Sequence, residues 1–442
     1  MAWIIALVAL IVLLLVLVFF LIMKRRKVAL TPASIQQEID KVSAAGGGTV
    51  FVPAGEYILE QPLVLQSNVH LKGEGIGETV FRIKAKLPDG SSAGFHMLTA
   101  ERAQNVKVSR MTLDGQNSQR PDKINDPFAH TLSLAWVTGF EIFDIEAINS
   151  AGGSIVLYNV NDGSVHDTFI TNSGSNAILG LQRNDNVQVV RNTVQKTLNQ
   201  NGIYFMFQDE KQSTNITIDG NTVREAADYG IEVGHTIQTP TSPPHRHIFA
   251  RNNVVEHSYC TGIGFRSVSD GVIENNTIRG YAKNDLYGCN GIFVEGRASL
   301  HHDVAVRNNK VLQDREAYPK AGTDDPYQQA MYITGMDGMT IEGNTIEDSW
   351  NDAIYVLASY FEGSTPDYPD GRRKYLNIHI DNNTIRSSEC SGVHFDDYPS
   401  SGNTVIDNTI LDSGGIPIVI EGDPSRVCVR DNVTATDPSE VS

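Results

Sequence analysis

A short asparagine turn recurs along most of this chain. It reads VVRNTV at 189–194, IDGNTV at 218–223, FARNNVV at 249–255, IENNTI at 273–278, VRNNKV at 306–311, IEGNTI at 341–346, IDNNTI at 380–385 and VIDNTI at 405–410. Aligning Asn192, Asn221, Asn253, Asn276, Asn309, Asn344, Asn383 and Asn408 gives separations of 29, 32, 23, 33, 35, 39 and 25 residues. The shortest separation approximates the unit and the excess is loop insertion. From about Asp144 onward each turn is flanked by short alternating strands with inward Val or Ile, and no helical period intervenes. One such coil cannot close a core, so coils must stack at the strand spacing of about 4.8 Å. Asparagine suits the corner because it tolerates left-handed backbone and its amide can bond to the next rung. The pattern predicts an all-β chain, a single-stranded right-handed parallel β-helix over residues 31–436, with the hand taken from the general rule for parallel crossovers.

The start of the body reads as a cap. Thr31 or Ser34 can serve as a helix N-cap, Ile35, Ile39 and Val42 share one helical face, and Gly46, Gly47 and Gly48 end the helix before the strand TVFVPAG. Such a helix covers the open end of the solenoid core.

Residues 1–23 contain no charge, no Gly and no Pro, and as a helix they reach about 34 Å, enough for a bilayer core of about 30 Å. They lack the basic start, short apolar core and small-residue cleavage site of a signal peptide, so they are expected to be an uncleaved transmembrane anchor, followed by a basic linker at 24–30. Lys24, Arg25, Arg26 and Lys27 would keep the body on the cytoplasmic side. Residues 437–442 are a polar tail. The formal charge is -17, and setting aside those four cations leaves -21 on the rest. That balance excludes a general nucleic-acid binder. Cys260, Cys289, Cys390 and Cys428 form no CxxC pair and neither demand an oxidising compartment nor suggest a zinc site.

The run from Ser34 to Gly115, with IQQEIDKVSAAGGGTVFVPAGEY, LKGEGIGETVFRI and MTLDGQ, resembles the N-terminal part of pectate-lyase-like β-helix proteins. It is most similar to mannuronan C-5 epimerase modules and more loosely to rhamnogalacturonase-type enzymes. The resemblance implies a pectin-lyase-like fold, polysaccharide chemistry and an extracytoplasmic solenoid, against the basic cluster. It does not carry over a catalytic set. Where the epimerases have YGFDPH, this chain has GSIVLY, with Val156 and Tyr158 in place of the Asp and His. The NTD, DD, GHG and RIK series of polygalacturonases is also missing in that order, Arg82-Ile83-Lys84 standing far too early.

Alternation on the strand after each loop gives two outward columns. The first runs Ser133, Val156, Leu179, Tyr204, Glu232, Gly264, Phe293, Tyr332, Tyr355, His394. The second runs Ala135, Tyr158, Leu181, Met206, Gly234, Arg266, Glu295, Thr334, Leu357, Asp396. Early rungs are apolar and later ones polar, which places any chemistry in the C-terminal half. Glu232, Arg266 and Glu295 fall on successive rungs and fit either an acid and base for glycoside cleavage, or a neutraliser and base beside a uronate carboxyl, or an exposed ion-pair ladder. His394 and Asp396 share an outward face and suit general acid or base work, while Asp396 with Asp397 can hold Ca²⁺, or the strand end is simply solvated. Long loops at 314–329 and 359–374, next to the rungs bearing Tyr332, Tyr355 and His394, bring Tyr327, Tyr360, Arg372 and Arg373, which together with Tyr204, Tyr332 and Tyr355 are the substrate-binding candidates. His245, His247, His301 and His302 read as loop residues. The expected partner is a polysaccharide, uronate-containing and anionic, and the chain is expected to be a monomeric solenoid. The function is that of a membrane-anchored lyase, glycoside hydrolase or epimerase, or else a non-catalytic glycan-binding scaffold.

Overall fold

The computed structural model describes residues 30–206, 212–234, 243–283, 289–296, 301–317, 328–357, 376–396 and 402–435. The apolar run, the basic cluster and the polar tail lie outside the described residues, as do Tyr327, Tyr360, Arg372, Arg373 and Asp397. Among the described residues no helix is long and apolar enough to cross a membrane.

The cap helix spans Pro32–Ala44. Both candidate caps take part: Thr31 Oγ1 accepts from Ser34 N at 3.2 Å and Ser34 Oγ accepts from Thr31 N at 2.9 Å. Ile35 and Ile39 are buried against the first coils, and Val42 packs at their margin.

Each complete coil then contributes one strand to a thirteen-stranded parallel sheet, running from Leu63–Val64 to Ile418–Ile420, and two strands, or in two early coils one long strand, to a larger parallel sheet around the other sides. Ile203–Met206, Thr214–Asp219 and Thr222–Arg224 make one such coil. Aliphatic side chains at alternate positions point inward and form one continuous core. His245 and His247 lie in the strand His245–Arg251, and His301 and His302 in His301–Arg307, so these histidines are not loop residues. Their strands begin with polar residues, which hid the period.

The asparagine ladder forms, with a division of labour that the repeat does not reveal. The ladder asparagines are buried, and each Nδ2 donates to Oδ1 of the next: Asn192 to Asn221 at 3.0 Å, Asn276 to Asn309 at 2.9 Å, Asn383 to Asn408 at 3.0 Å. The left-handed backbone belongs to the residue before each of them, as at Arg191, Asn252, Asn275, Asn308, Asn382 and Asp407, or to Gly220 and Gly343. The expectation that one asparagine does both jobs is therefore corrected: one residue turns the chain and the next bonds along the axis. The ladder continues to Asn432 and starts at Thr168, whose Oγ1 donates to Asn192 Oδ1 at 2.8 Å. Earlier coils run straight through the bend in the strands Gln104–Asp114 and Thr138–Ile148, with Met111 and Ile145 buried in the ladder position.

Cys260 and Cys289 form a disulfide between adjacent coils, with Cα atoms 4.5 Å apart and a sequence separation of 29. The scattered look of the cysteines in the sequence concealed this pairing, because the partner is one coil away. Cys390 and Cys428 lie outside this disulfide and are exposed.

Candidate active site

Strand pairing reproduces the outward columns. Tyr204 pairs with Glu232, Glu232 with Gly264, Gly264 with Phe293, Phe293 with Tyr332, Tyr332 with Tyr355, and Tyr355 with His394, while Arg266 pairs with Glu295. The early rungs are apolar as expected: Val156, Leu179 and Tyr204 form a small outward cluster against Leu181 and Met206.

Glu232, Arg266 and Glu295 come together, and they are not an exposed ladder. Glu232 is only 4% exposed. Its Oε2 accepts from Asn201 Nδ2 at 2.6 Å, and its Oε1 lies 3.3 Å from Arg266 Nη1. Glu295 Oε2 stands 3.7 Å from Arg266 Nε, beyond hydrogen-bond length, so that contact is electrostatic. The guanidinium also donates through Nη2 to the Tyr229 hydroxyl and lies over the rings of Tyr229 and Phe293, at 5.1 and 5.3 Å from their centroids. Gly264, between Glu232 and Phe293, leaves room for Tyr229, since a Cβ there would stand 2.7 Å from its ring.

Burial works against the charge on Arg266, but the surrounding Tyr229, Glu232 and Glu295 oxygens outweigh it and raise its pKa, so the guanidinium is a fixed cation rather than a base. Burial pushes the Tyr229 phenol up to about 12 and raises Tyr204 as well, with Glu232 adding to the latter. Burial also raises Asp228, against the pull of Arg266.

His394 does not find its partner in Asp396. Nδ1 lies 3.0 Å from Asp352 Oδ2 and Nε2 3.0 Å from Glu421 Oε1. Burial alone would lower its pKa, but the two carboxylates outweigh that and raise it above 6.5. With an acceptor at each nitrogen, the imidazolium is the form that the site holds. Asp396 follows the strand and is partly buried, its amide donating to Val356 O at 3.1 Å. Asp397, its proposed companion for Ca²⁺, is outside the described residues, among which no group of three or more His, Cys, Asp or Glu is placed to hold a metal.

The two clusters are the ends of one column. From Arg266 over Phe293 the rings follow at 5.6 Å to Tyr332, 5.7 Å to Tyr355 and 4.9 Å, edge-on, to His394. Four rung steps separate Arg266 from His394, about 19 Å at the strand spacing. Glu295 is one rung nearer, three rung steps or about 14 Å from His394, still too far for the two to serve one bond as an acid-base pair.

Sequence reasoning missed Asn201, Tyr229, Asp352 and Glu421. A weak signal existed for the first and third, because a polar residue recurs two places before these strands: Asn176, Asn201, Thr261, Asn290, Gln329, Asp352 and Ser391 are all buried there.

These features define a right-handed parallel β-helix protein. Its fold and N-terminal sequence resemble mannuronan C-5 epimerase modules and, more broadly, pectin-lyase-like enzymes. Residues 244–433 match the family model "Right handed beta helix region". The Azotobacter vinelandii mannuronan C5-epimerase AlgE2 is 38% identical over 103 residues, which are 22% of this chain and 10% of that protein. The AlgE6 A-module from the same organism superposes over 91% of this chain and 95% of its own, with TM-score 0.55 and 18% identity. Bacteriophage phi29 gene product 12 gives TM-score 0.71 at 15% identity, over 96% of this chain and 58% of its own. At these identities the structural likenesses show the fold.

Proposed function

We propose that the chain is a polysaccharide-acting enzyme that cleaves a glycosidic bond with Glu295 and Glu232, beside the aromatic column from Phe293 to His394. The observation that carries this reading is the convergence of two carboxylates, from strands two rungs apart, on the single guanidinium of Arg266. Two carboxylates against one cation leave one excess negative charge, which a single proton neutralises, and that is the state in which a glycosidic acid-base pair works. Glu295, the more open of the two at 16% side-chain exposure against 6%, donates its proton to the glycosidic oxygen as the C–O bond breaks. Glu232, held by Asn201, takes a proton from the water whose hydroxyl adds to the anomeric carbon. Arg266 keeps both oxygens in place and balances charge as the proton changes owner.

A second reading, lyase or epimerase chemistry on a uronate, is favoured by the 38% identity to an epimerase over 103 residues. It needs a cation for the uronate carboxyl, and Arg372 and Arg373 are candidates for it. Incubating the full chain with pectin, alginate and neutral glycans separates the readings. New reducing ends without an unsaturated sugar support hydrolysis; an unsaturated product or a change in uronate epimer ratio supports the second. Binding without turnover, unaltered in Glu295→Gln, would leave a non-catalytic scaffold.

We place the solenoid outside the cytoplasm, tethered by residues 1–23. The Cys260–Cys289 disulfide supports this side, in opposition to Lys24–Lys27. Alkylation of intact cells with a membrane-impermeant maleimide tests it: labelling of the exposed Cys428 is expected, and its protection would reverse the orientation.

A further inference from the structure

On the other side of the corner that follows the thirteen-stranded sheet, two cavities of about 370 and 440 Å³ share Asp162 and Asn186 and so form one furrow across neighbouring coils. Two glycines line it. Gly139 carries no side chain at a left-handed position, φ 73°, and a Cβ there would meet Asn105 Oδ1 at 2.7 Å. One rung on, Gly163 leaves inward space that the Phe140 ring fills, a Cβ there standing 2.1 Å from that ring.

At one end of the furrow stands Trp136, 45% exposed. It occupies a corner where successive coils place Arg102, Trp136, Asn159 and Gln182, all left-handed, with φ between 49° and 63°. Asparagine is the ordinary occupant of such backbone; a tryptophan there is strained and brings a large apolar surface to solvent. The indole is nevertheless fixed in place, with the Arg102 guanidinium 4.8 Å above the ring and Tyr158 meeting it edge-on at 5.0 Å. Strain retained to present a rigid, exposed aromatic plane above an amide-lined furrow points to ligand recognition rather than to packing.

We propose that this furrow is a second glycan-binding subsite, separate from the Glu232 cluster, and that it takes a segment of neutral hexose chain. Trp136 offers a flat face for the C–H surface of a pyranose ring. Asn159 and Asn161 each present an amide that can both donate to and accept from sugar hydroxyls, while Asn186, already bonded to Asp162 and Asn215, lines the floor. The choice of a neutral sugar follows from charge. Arg183 is paired with Asp185 at 2.6 Å, and Lys107 with Glu141 at 2.7 Å. Asp162 accepts from Asn186 Nδ2 at 2.8 Å and adds a further negative charge. A uronate would meet Asp162 without an unpaired cation to receive it. Four rung steps, about 19 Å along the axis, separate the strand before Trp136 from that of Glu232, so one long polysaccharide can engage both.

The test is calorimetric titration of the full chain with cellohexaose, mannohexaose and laminarihexaose as neutral probes, and with a hexauronate of equal length. At least one neutral probe is expected to bind more tightly than the hexauronate. Trp136→Ala should weaken that binding at least tenfold. Trp136→Asn, which suits left-handed backbone, should lose binding equally while raising the melting temperature, a combination that a merely structural tryptophan does not give. Wild-type affinity in Trp136→Asn, absence of binding by all three neutral probes, or preference for the hexauronate would overturn the proposal. Glu295→Gln should stop turnover and keep this binding, so failure of the catalytic reading is distinguishable from failure of the subsite.

Discussion

Asp352 holds His394 from one coil below: its Oδ2 lies 3.0 Å from Nδ1, and its Oδ1 accepts from Ser391 N at 2.8 Å. Asn201 stands in the same register to Glu232, two residues before one strand and reaching the second residue of the next, at 2.6 Å. Both ends of the aromatic column are therefore fixed by the same architectural device, a buried polar residue at the strand entrance.

His394 should make stability depend on pH in a defined direction. Its folded pKa lies above 6.5, so its contribution is fully present below the unfolded value and is lost as pH rises through the folded one. His394→Gln is expected to lower stability at pH 6 and to leave it little changed at pH 9. Urea denaturation at the two values checks this, and an equal loss at both would contradict it.

Arg266 neutralises two carboxylates that are largely withdrawn from water. Arg266→Met should cost about 3–5 kcal/mol, because it leaves buried charge uncompensated. Glu232→Gln keeps an oxygen for Asn201 and should cost no more than about 1.5 kcal/mol while abolishing turnover. The pair of denaturation midpoints, read beside product formation, separates folding from catalysis.

His130 is a buried neutral histidine. Its ring stacks on His96 at 4.7 Å and its Nδ1 accepts from Gly153 N at 2.9 Å. Burial, helped by His96, lowers its pKa from 6.5 to about 3. Between those values the unfolded chain binds a proton that the folded one refuses, so stability should fall with acidification by up to about 1.4 kcal/mol per pH unit. His130→Gln, which keeps an acceptor for Gly153, should flatten that slope in urea titrations from pH 7 to pH 4. An unchanged slope would show that other groups govern acid stability.

Asn309 sits inside the ladder. Its Oδ1 accepts from both N and Nδ2 of Asn276, and its Nδ2 donates to Ile273 O and Asn344 Oδ1. Asn309→Ala orphans several buried groups and should cost about 2–4 kcal/mol, whereas Asn432→Ala, at the partly exposed ladder end, should cost about 1 kcal/mol. Equal effects at the two positions would mean that the ladder is not cooperative along the axis.

Much of the fold was legible because two periods coincide. Alternation along each strand named which residues share a face, and the Gly before Ile203, Ile231, Ile263 and Ile292 fixed where each strand begins, so the outward columns emerged in the right register. Alternation gives direction and not depth. It placed Glu232 outward and could not show that neighbours would enclose it. Contacts between coils were also hidden, since Asp352 and His394 are 42 residues apart and loops of unequal length remove any fixed spacing. The same reason concealed the Cys260–Cys289 pair. Before Thr168 the solenoid continues without its signature, because Met111 and Ile145 fill by apolar packing the place that asparagine later fills by hydrogen bonding.

The ladder bonds stay at 2.9–3.0 Å although the residues they join are 23 to 39 positions apart in the chain. Axial rise and contour length are thus uncoupled: from Thr168 onward one corner of each coil is clamped to a fixed pitch, while the chain between successive ladder residues varies in length from 23 to 39 positions. A solenoid of this design can lengthen or exchange the segments between its rungs without shifting the spacing of Phe293, Tyr332, Tyr355 and His394. Sequence can drift between the rungs while the reading frame of that aromatic column stays constant.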